Sequence, residues 1–144
     1  MKYPIHNKDI FYQSSCRDIR FKDYLLLGGG TDIDPALYGE EPSLYTQPPN
    51  KQRDKNNIEA IKQAGIDNVP VIGICRGFQL LDVYNEGRLF QHSVGHSSSV
   101  NIETIKKDNL LVIEGVIGDC ASCHHQIIIE EKTKGKILGF SKTR

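Results

Sequence analysis

Val69-Pro70-Val71-Ile72-Gly73-Ile74-Cys75-Arg76-Gly77-Phe78-Gln79-Leu80-Leu81-Asp82-Val83-Tyr84 passes from a short β-branched run, through a cysteine, into a helical pattern. Residues 69–74 are apolar without alternation, which predicts a central parallel strand covered on both faces. Residues 78–84 follow as a predicted helix. Between them, Gly73 and Gly77 stand two residues to either side of Cys75. A nucleophile held at the tip of a sharp strand-to-helix turn needs a strained backbone, and small neighbours remove the clashes. The thiol then lies at a helix N-terminus, where the dipole and free N–H groups favour thiolate. The backbone N–H of Arg76 is positioned to bind an oxyanion. An isolated cysteine is more often a small core residue; the order strand, Gly-x-Cys-x-Gly, helix tips the reading to a nucleophile.

Upstream, Tyr24-Leu25-Leu26-Leu27 is a second continuous apolar run, and Gly28-Gly29-Gly30 stops it. This reads as a buried strand ending in a turn. If the two strands lie side by side, their C-terminal ends share one crevice, where open α/β sheets bind ligands. An N–H from Gly29 or Gly30 then completes an oxyanion hole with Arg76, although an ordinary flexible turn accounts for the spacing equally well. A dinucleotide fingerprint fits less well, because the proline-rich stretch 31–53 follows the glycines and reads as a loop. Ile58, Ile61 and Ala64 predict a helix over 54–65 that stops at Gly65. Strand, helix, strand, helix is the signature of a layered α/β fold. After Gly87 the texture changes to short strand candidates at 89–90, 99–102, 110–113, 127–129 and 137–140. Residues 1–22 show no clear period, and no repeat or low-complexity segment is present.

The 144 residues amount to one domain, expected to span 1–144. Lysine plus arginine and aspartate plus glutamate are 18 each, so charge makes no case for nucleic acid. No run of apolar residues is long enough for a membrane span. The first nine residues contain no apolar core of a signal peptide, so the expected compartment is the cytoplasm. In that setting Cys16, Cys75, Cys120 and Cys123 read as thiols. Cys120-Ala121-Ser122-Cys123-His124-His125 also suits a small zinc cluster, but one Cys-x-x-Cys without a distant second pair is a weak signal. The expectation is therefore no metal and no cofactor.

Together these segments resemble the γ-glutamyl-GABA hydrolase-like proteins (peptidase family C26) of the class I glutamine amidotransferases. The resemblance rests on 25–42, from Leu25 through Gly28-Gly29-Gly30-Thr31-Asp32 to Pro42. It continues through Arg53-Asp54, then 70–83 around Cys75, then Gly87-Arg88-Leu89-Phe90-Gln91-His92, and ends on Ser122-Cys123-His124-His125-Gln126. It implies a three-layer, flavodoxin-like α/β domain with a mainly parallel central sheet and a short β-rich C-terminal part. It also implies cleavage of a γ-glutamyl amide, such as that of glutamine, through a thioester. Carried over by position, Cys75 is the nucleophile, and the amides of Gly29 or Gly30 and of Arg76 form the oxyanion hole. Gln79, His124, His125 and Gln126 fall on the substrate side. A synthase that accepts the ammonia, or a second copy of the chain, is the partner such a domain takes.

The sequence departs from that pattern in four places. The family's His-Pro-Glu, which supplies the base and its orienting carboxylate, does not occur. The opening βα unit has only 23 mostly polar residues to form from. Asn57 stands where relatives often carry glutamate, and Glu86 where they often carry glycine. The chain thus reads as a fragment or a reduced relative, with His124 or His125 the best local candidates for a base. The alternative is a binding or regulatory module that keeps the pocket for γ-glutamyl compounds without the turnover.

Overall fold

The computed structural model describes residues 11–13, 18–20, 23–94, 109–113, 116–120 and 124–143. Cys16, Cys123 and the strand candidate at 99–102 lie outside them. The principal sheet has the order β1 (Phe11–Gln13), β2 (Asp18–Arg20), β3 (Leu25–Leu27), β4 (Val71–Gly73). Its first two pairings are antiparallel; β3 and β4 are parallel, with Leu25 opposite Val71 and Leu27 opposite Gly73. The α/β reading therefore holds through one parallel pair, while the described residues before it are two strands paired antiparallel. Neither β1 nor β2 was expected, because three-residue strands carry too few positions to show a period.

α1 (Lys51–Ile66) connects the parallel strands. The side chain of Asn50 caps it by accepting from the Arg53 N–H. Its buried positions are Arg53, Asp54, Asn57, Ile61 and Ala64, one face of the helix. That face is polar for its first turns and apolar beyond. The apolar end joins Leu25, Leu27, Ile33, Tyr38, Leu80, Val83 and Leu89 in a single core. Burying each large member stabilises the fold by about 1.5–3 kcal/mol. Asp34 caps a 3-10 turn at Pro35–Tyr38, so the long proline-rich loop is partly ordered by its own side chains.

α2 (Arg76–Tyr84) follows β4 directly. β4 differs from expectation, because among the described residues it is the edge of its sheet and not a central strand. Ile72 and Ile74 are 48% and 56% exposed, so one face of this apolar run is uncovered. The remaining elements are antiparallel. β5 (Leu89–Phe90) pairs with β8 (Ile127–Ile128); β6 (Asn109–Ile113) lies between β7 (Val116–Cys120) and β9 (Gly139–Thr143). β7 had no counterpart among the expected strands, and β9 begins two residues later than its apolar run suggested. No helix among the described residues is long and apolar enough to cross a membrane.

Candidate active site

Cys75 sits between the end of β4 and the first residue of α2, at φ 51° and ψ −113°. A side chain with a β-carbon is strained at such a positive φ. The surrounding contacts hold it there. The Ile74 N–H donates to the Leu27 carbonyl at 2.9 Å, and the Gly77 N–H returns to the Ile74 carbonyl at 2.9 Å. The two flanking glycines are required by close backbone approach. A β-carbon at Gly73 would lie 2.6 Å from the Gly77 backbone, and one at Gly77 would lie 2.2 Å from the Leu27 carbonyl oxygen. The turn can thus be sharp only because β3, β4 and α2 meet with no side chains between them. Cys75 itself is exposed and is a free thiol.

Parallel pairing of β3 with β4 brings the glycine turn beside the cysteine. A β-carbon added to Gly29 would stand 3.7 Å from the Cys75 Cβ. Among the described residues, the backbone N–H groups of Gly29, Gly30 and Arg76 have no hydrogen-bond acceptor. Gly29 lies against the thiol and Arg76 follows it in the chain, and N–H donors so near an exposed thiol are of the kind that hold an anionic oxygen.

Beneath the turn lies a polar network that the sequence did not disclose. Asp18, on β2, accepts from Arg53 Nε at 3.1 Å and Nη2 at 2.9 Å, from Asn57 Nδ2 at 3.0 Å, and from the Gly28 N–H at 2.9 Å. Asn57 Oδ1 accepts from Arg76 Nη1 at 2.9 Å, and Arg76 Nη2 pairs with Asp54 Oδ1. The other Asp54 oxygen takes the Asp34 N–H at 3.1 Å. Two guanidinium groups and two carboxylates balance within a buried cluster; Arg76 is only 1% exposed. Burial would raise the Asp18 carboxyl, but the bonds from Arg53, Asn57 and Gly28 outweigh it and hold the group below its ordinary value. Burial, with the Arg53 charge behind it, draws Arg76 below its own. Asn57 donates to Asp18 and accepts from Arg76, a double role that an ionised glutamate cannot fill. That is a physical reason for the departure at this position.

The segment 124–126 reaches the site through α2. Gln79, one turn after Cys75, donates from Nε2 to the Gln126 carbonyl at 2.8 Å, and His124 Nδ1 lies 3.0 Å from that same oxygen. Gln79, His124 and Gln126 are therefore brought together at the N-terminal end of α2. His125 has other partners. Its Nδ1 lies 3.1 Å from the Gln91 carbonyl, and its Nε2 lies 3.1 Å from Asp32 Oδ2. The second contact is within ion-pair reach but off the line of a hydrogen bond. Burial pushes the Asp32 carboxyl up, against the Gln47 N–H and His125. His92 stacks on Tyr45 with ring centroids 3.9 Å apart and stands 5.6 Å from the His125 ring. No hydrogen bond to the Cys75 sulfur is present among the described residues.

Glu86, in the turn after α2, takes φ 68°, where glycine is preferred. The zinc reading falls largely outside the described residues, since Cys123 and the Cys120 side chain do. Asp18 was missed because its partners are 10, 35 and 39 residues away in sequence.

The family model described as Peptidase C26 matches residues 12–141. The glutamine amidotransferase-like protein YvdE of Lactococcus lactis subsp. lactis is 44% identical over 78 residues, which is 54% of this chain and 33% of that protein. Rv2859c of Mycobacterium tuberculosis, which bears a glutamine amidotransferase name, is 35% identical over 116 residues, 72% of this chain and 38% of that protein. The matches thus span about a third of the length of these relatives. With a family match over nearly the whole chain, the chain belongs to the Peptidase C26 family of class I glutamine amidotransferase-like proteins.

Proposed function

We propose that this domain uses Cys75 as a nucleophile on the γ-carbonyl of a γ-glutamyl amide, glutamine being the simplest. The observation that carries the reading is the strained, exposed Cys75 lying against Gly29, with the N–H groups of Gly29 and Arg76 unpaired among the described residues. The sulfur adds to the carbonyl carbon, and the oxygen takes up the negative charge. The N–H groups of Arg76 and of Gly29 or Gly30 stabilise that oxygen. Collapse expels the amine and leaves a thioester, which water then hydrolyses. Gln79, His124 and Gln126 line the substrate end. In this reading the domain adopts the three-layer, flavodoxin-like form, works in the cytoplasm, and delivers ammonia to water or to a synthase.

Expulsion of ammonia needs a proton, and attack needs a base; together such help contributes typically ~10²–10⁴-fold. His125 is held by Gln91 and Asp32, and no imidazole hydrogen-bonds to the thiol among the described residues. This favours a second reading for the chain as it stands: a γ-glutamyl-binding or regulatory module that acylates but turns over amides poorly. One experiment covers both. The chain is treated with an activated γ-glutamyl ester, whose leaving group needs no proton, and separately with glutamine. Stoichiometric acylation at Cys75, absent in Cys75→Ala, supports the nucleophile. Rapid ammonia release from glutamine would reject the module reading, and failure of the ester to acylate Cys75 would reject the hydrolase reading.

A further inference from the structure

We propose that Arg53 is a positioning residue that sets the orientation of the oxyanion-hole peptides; the inference rests on the reading of Cys75 as an acylated nucleophile. Arg53 projects from the first turn of α1 and donates to two successive carbonyls of the glycine turn. Nη1 reaches the Gly29 oxygen at 3.1 Å, and Nη2 reaches the Gly28 oxygen at 3.4 Å. In a planar trans peptide the carbonyl of one residue and the N–H of the next point in opposite directions. Holding the Gly28 and Gly29 carbonyls against the guanidinium therefore turns the N–H groups of Gly29 and Gly30 away from it. Among the described residues these two N–H groups have no acceptor, and Gly29 lies against Cys75. Glycine peptides have little steric resistance to rotation, so a turn of three glycines needs such an external hold.

The hold is itself rigid. Asp18 grips the guanidinium through two nitrogens and also accepts the Gly28 N–H, which fixes the start of the turn to the same carboxylate. Arg53 is buried, so its fork has little freedom to swing out. Space is matched as closely: a β-carbon at Gly30 would lie 2.1 Å from Arg53 Nη1. Gly30 is thus kept bare by the guanidinium, beyond any need for a special φ. Arg53 acts through the peptides and touches no substrate in this assignment. A planar fork can bond two carbonyls at once, and a lysine ammonium cannot reproduce that geometry.

The test compares two reactions of Cys75. In acylation by a γ-glutamyl aryl ester, an Sγ–C bond forms, the C–O bond breaks, and phenolate leaves with its electron pair after a tetrahedral oxyanion. In alkylation by iodoacetamide, an Sγ–C bond forms and iodide leaves, with no oxyanion. Arg53→Lys keeps the charge against Asp18, and Gly30→Ala keeps every charge while displacing the guanidinium. Both should slow acylation by ~10-fold or more, toward the ~10²–10³-fold seen when an oxyanion donor is removed outright. Both should leave alkylation within about twofold of the parent. Loss in both reactions would mean that the elbow itself has collapsed, and loss in neither would mean that the peptides need no hold; either result in either variant overturns the assignment. If the unsubstituted chain is alkylated at Cys75 yet not acylated, the γ-glutamyl reading fails and the assignment falls with it. That outcome differs from the one in which the parent is acylated and the variants match it.

Discussion

Replacing Gly77 with alanine would put a methyl carbon 2.2 Å from the Leu27 carbonyl oxygen and 2.7 Å from the Leu27 Cβ. An ordinary contact between such atoms is ~3.5–4.0 Å, so α2 would have to withdraw from β3 by about 1 Å or more. Overpacking typically costs ~1–3 kcal/mol, and here backbone stands on the facing side, which puts the cost near the upper end. Alanine in a helix regains at most ~1 kcal/mol over glycine, so the net loss is ~2 kcal/mol. For a chain of this size that lowers Tm by about 4–8 °C. Gly65→Ala, in α1, is the matched control: nothing lies within 4 Å of its added carbon. It should gain ~0.5–1 kcal/mol, or about 1–4 °C. Thermal unfolding followed by far-ultraviolet circular dichroism reads both, and the rate of iodoacetamide labelling at Cys75 reports whether the elbow has opened. If Gly77→Ala melts at or above the parent, the account of the elbow as a bare three-way backbone contact is wrong.

Other perturbations probe the remaining pieces. Cys75→Gly removes a β-carbon from φ 51° and should raise Tm while abolishing acylation; an unchanged or lower Tm would show that the turn stores no strain. Asp18 titrates below its ordinary 3.8 in the folded chain, so its contribution is complete above that value and is lost as pH falls through the depressed pKa. Stability measured between about pH 5 and pH 2 should therefore fall more steeply in the parent than in Asp18→Asn, and parallel profiles would contradict the network. Arg76→Met strands the Asp54 carboxylate in the interior and should cost ~3–5 kcal/mol in urea unfolding; adding Asp54→Leu should recover part of it. Glu86→Gly should raise Tm, since glycine accepts φ 68° without strain, and a drop would mean that the ion pair with Lys134 matters more than the backbone.

What lay open in the sequence was governed by near neighbours. The elbow at 73–77 is defined by a strand end, a helix start and two glycines within four residues, so composition and order were enough to find it. The glycine turn after Leu27 and the two flanking helices are local in the same sense. The tertiary structure decided what depends on distant partners. Asp18 lies in a stretch without period and becomes important only because β2 pairs with β3 and faces α1. Arg53 and Asn57 occupy helix positions that an apolar pattern passes over, and the buried face of α1 ran through Asn57 while Ile58 stayed half-buried. β4 has the composition of a central strand, yet its neighbours were chosen by sheet order, and Ile72 and Ile74 remain uncovered. His124 and His125 are adjacent in sequence but part company: one meets Gln126 at the end of α2, and the other is drawn to Asp32 and Gln91. Backbone torsions and turns obey interactions over a few residues, whereas the pairing of buried charges obeys proximity that only the packed chain creates.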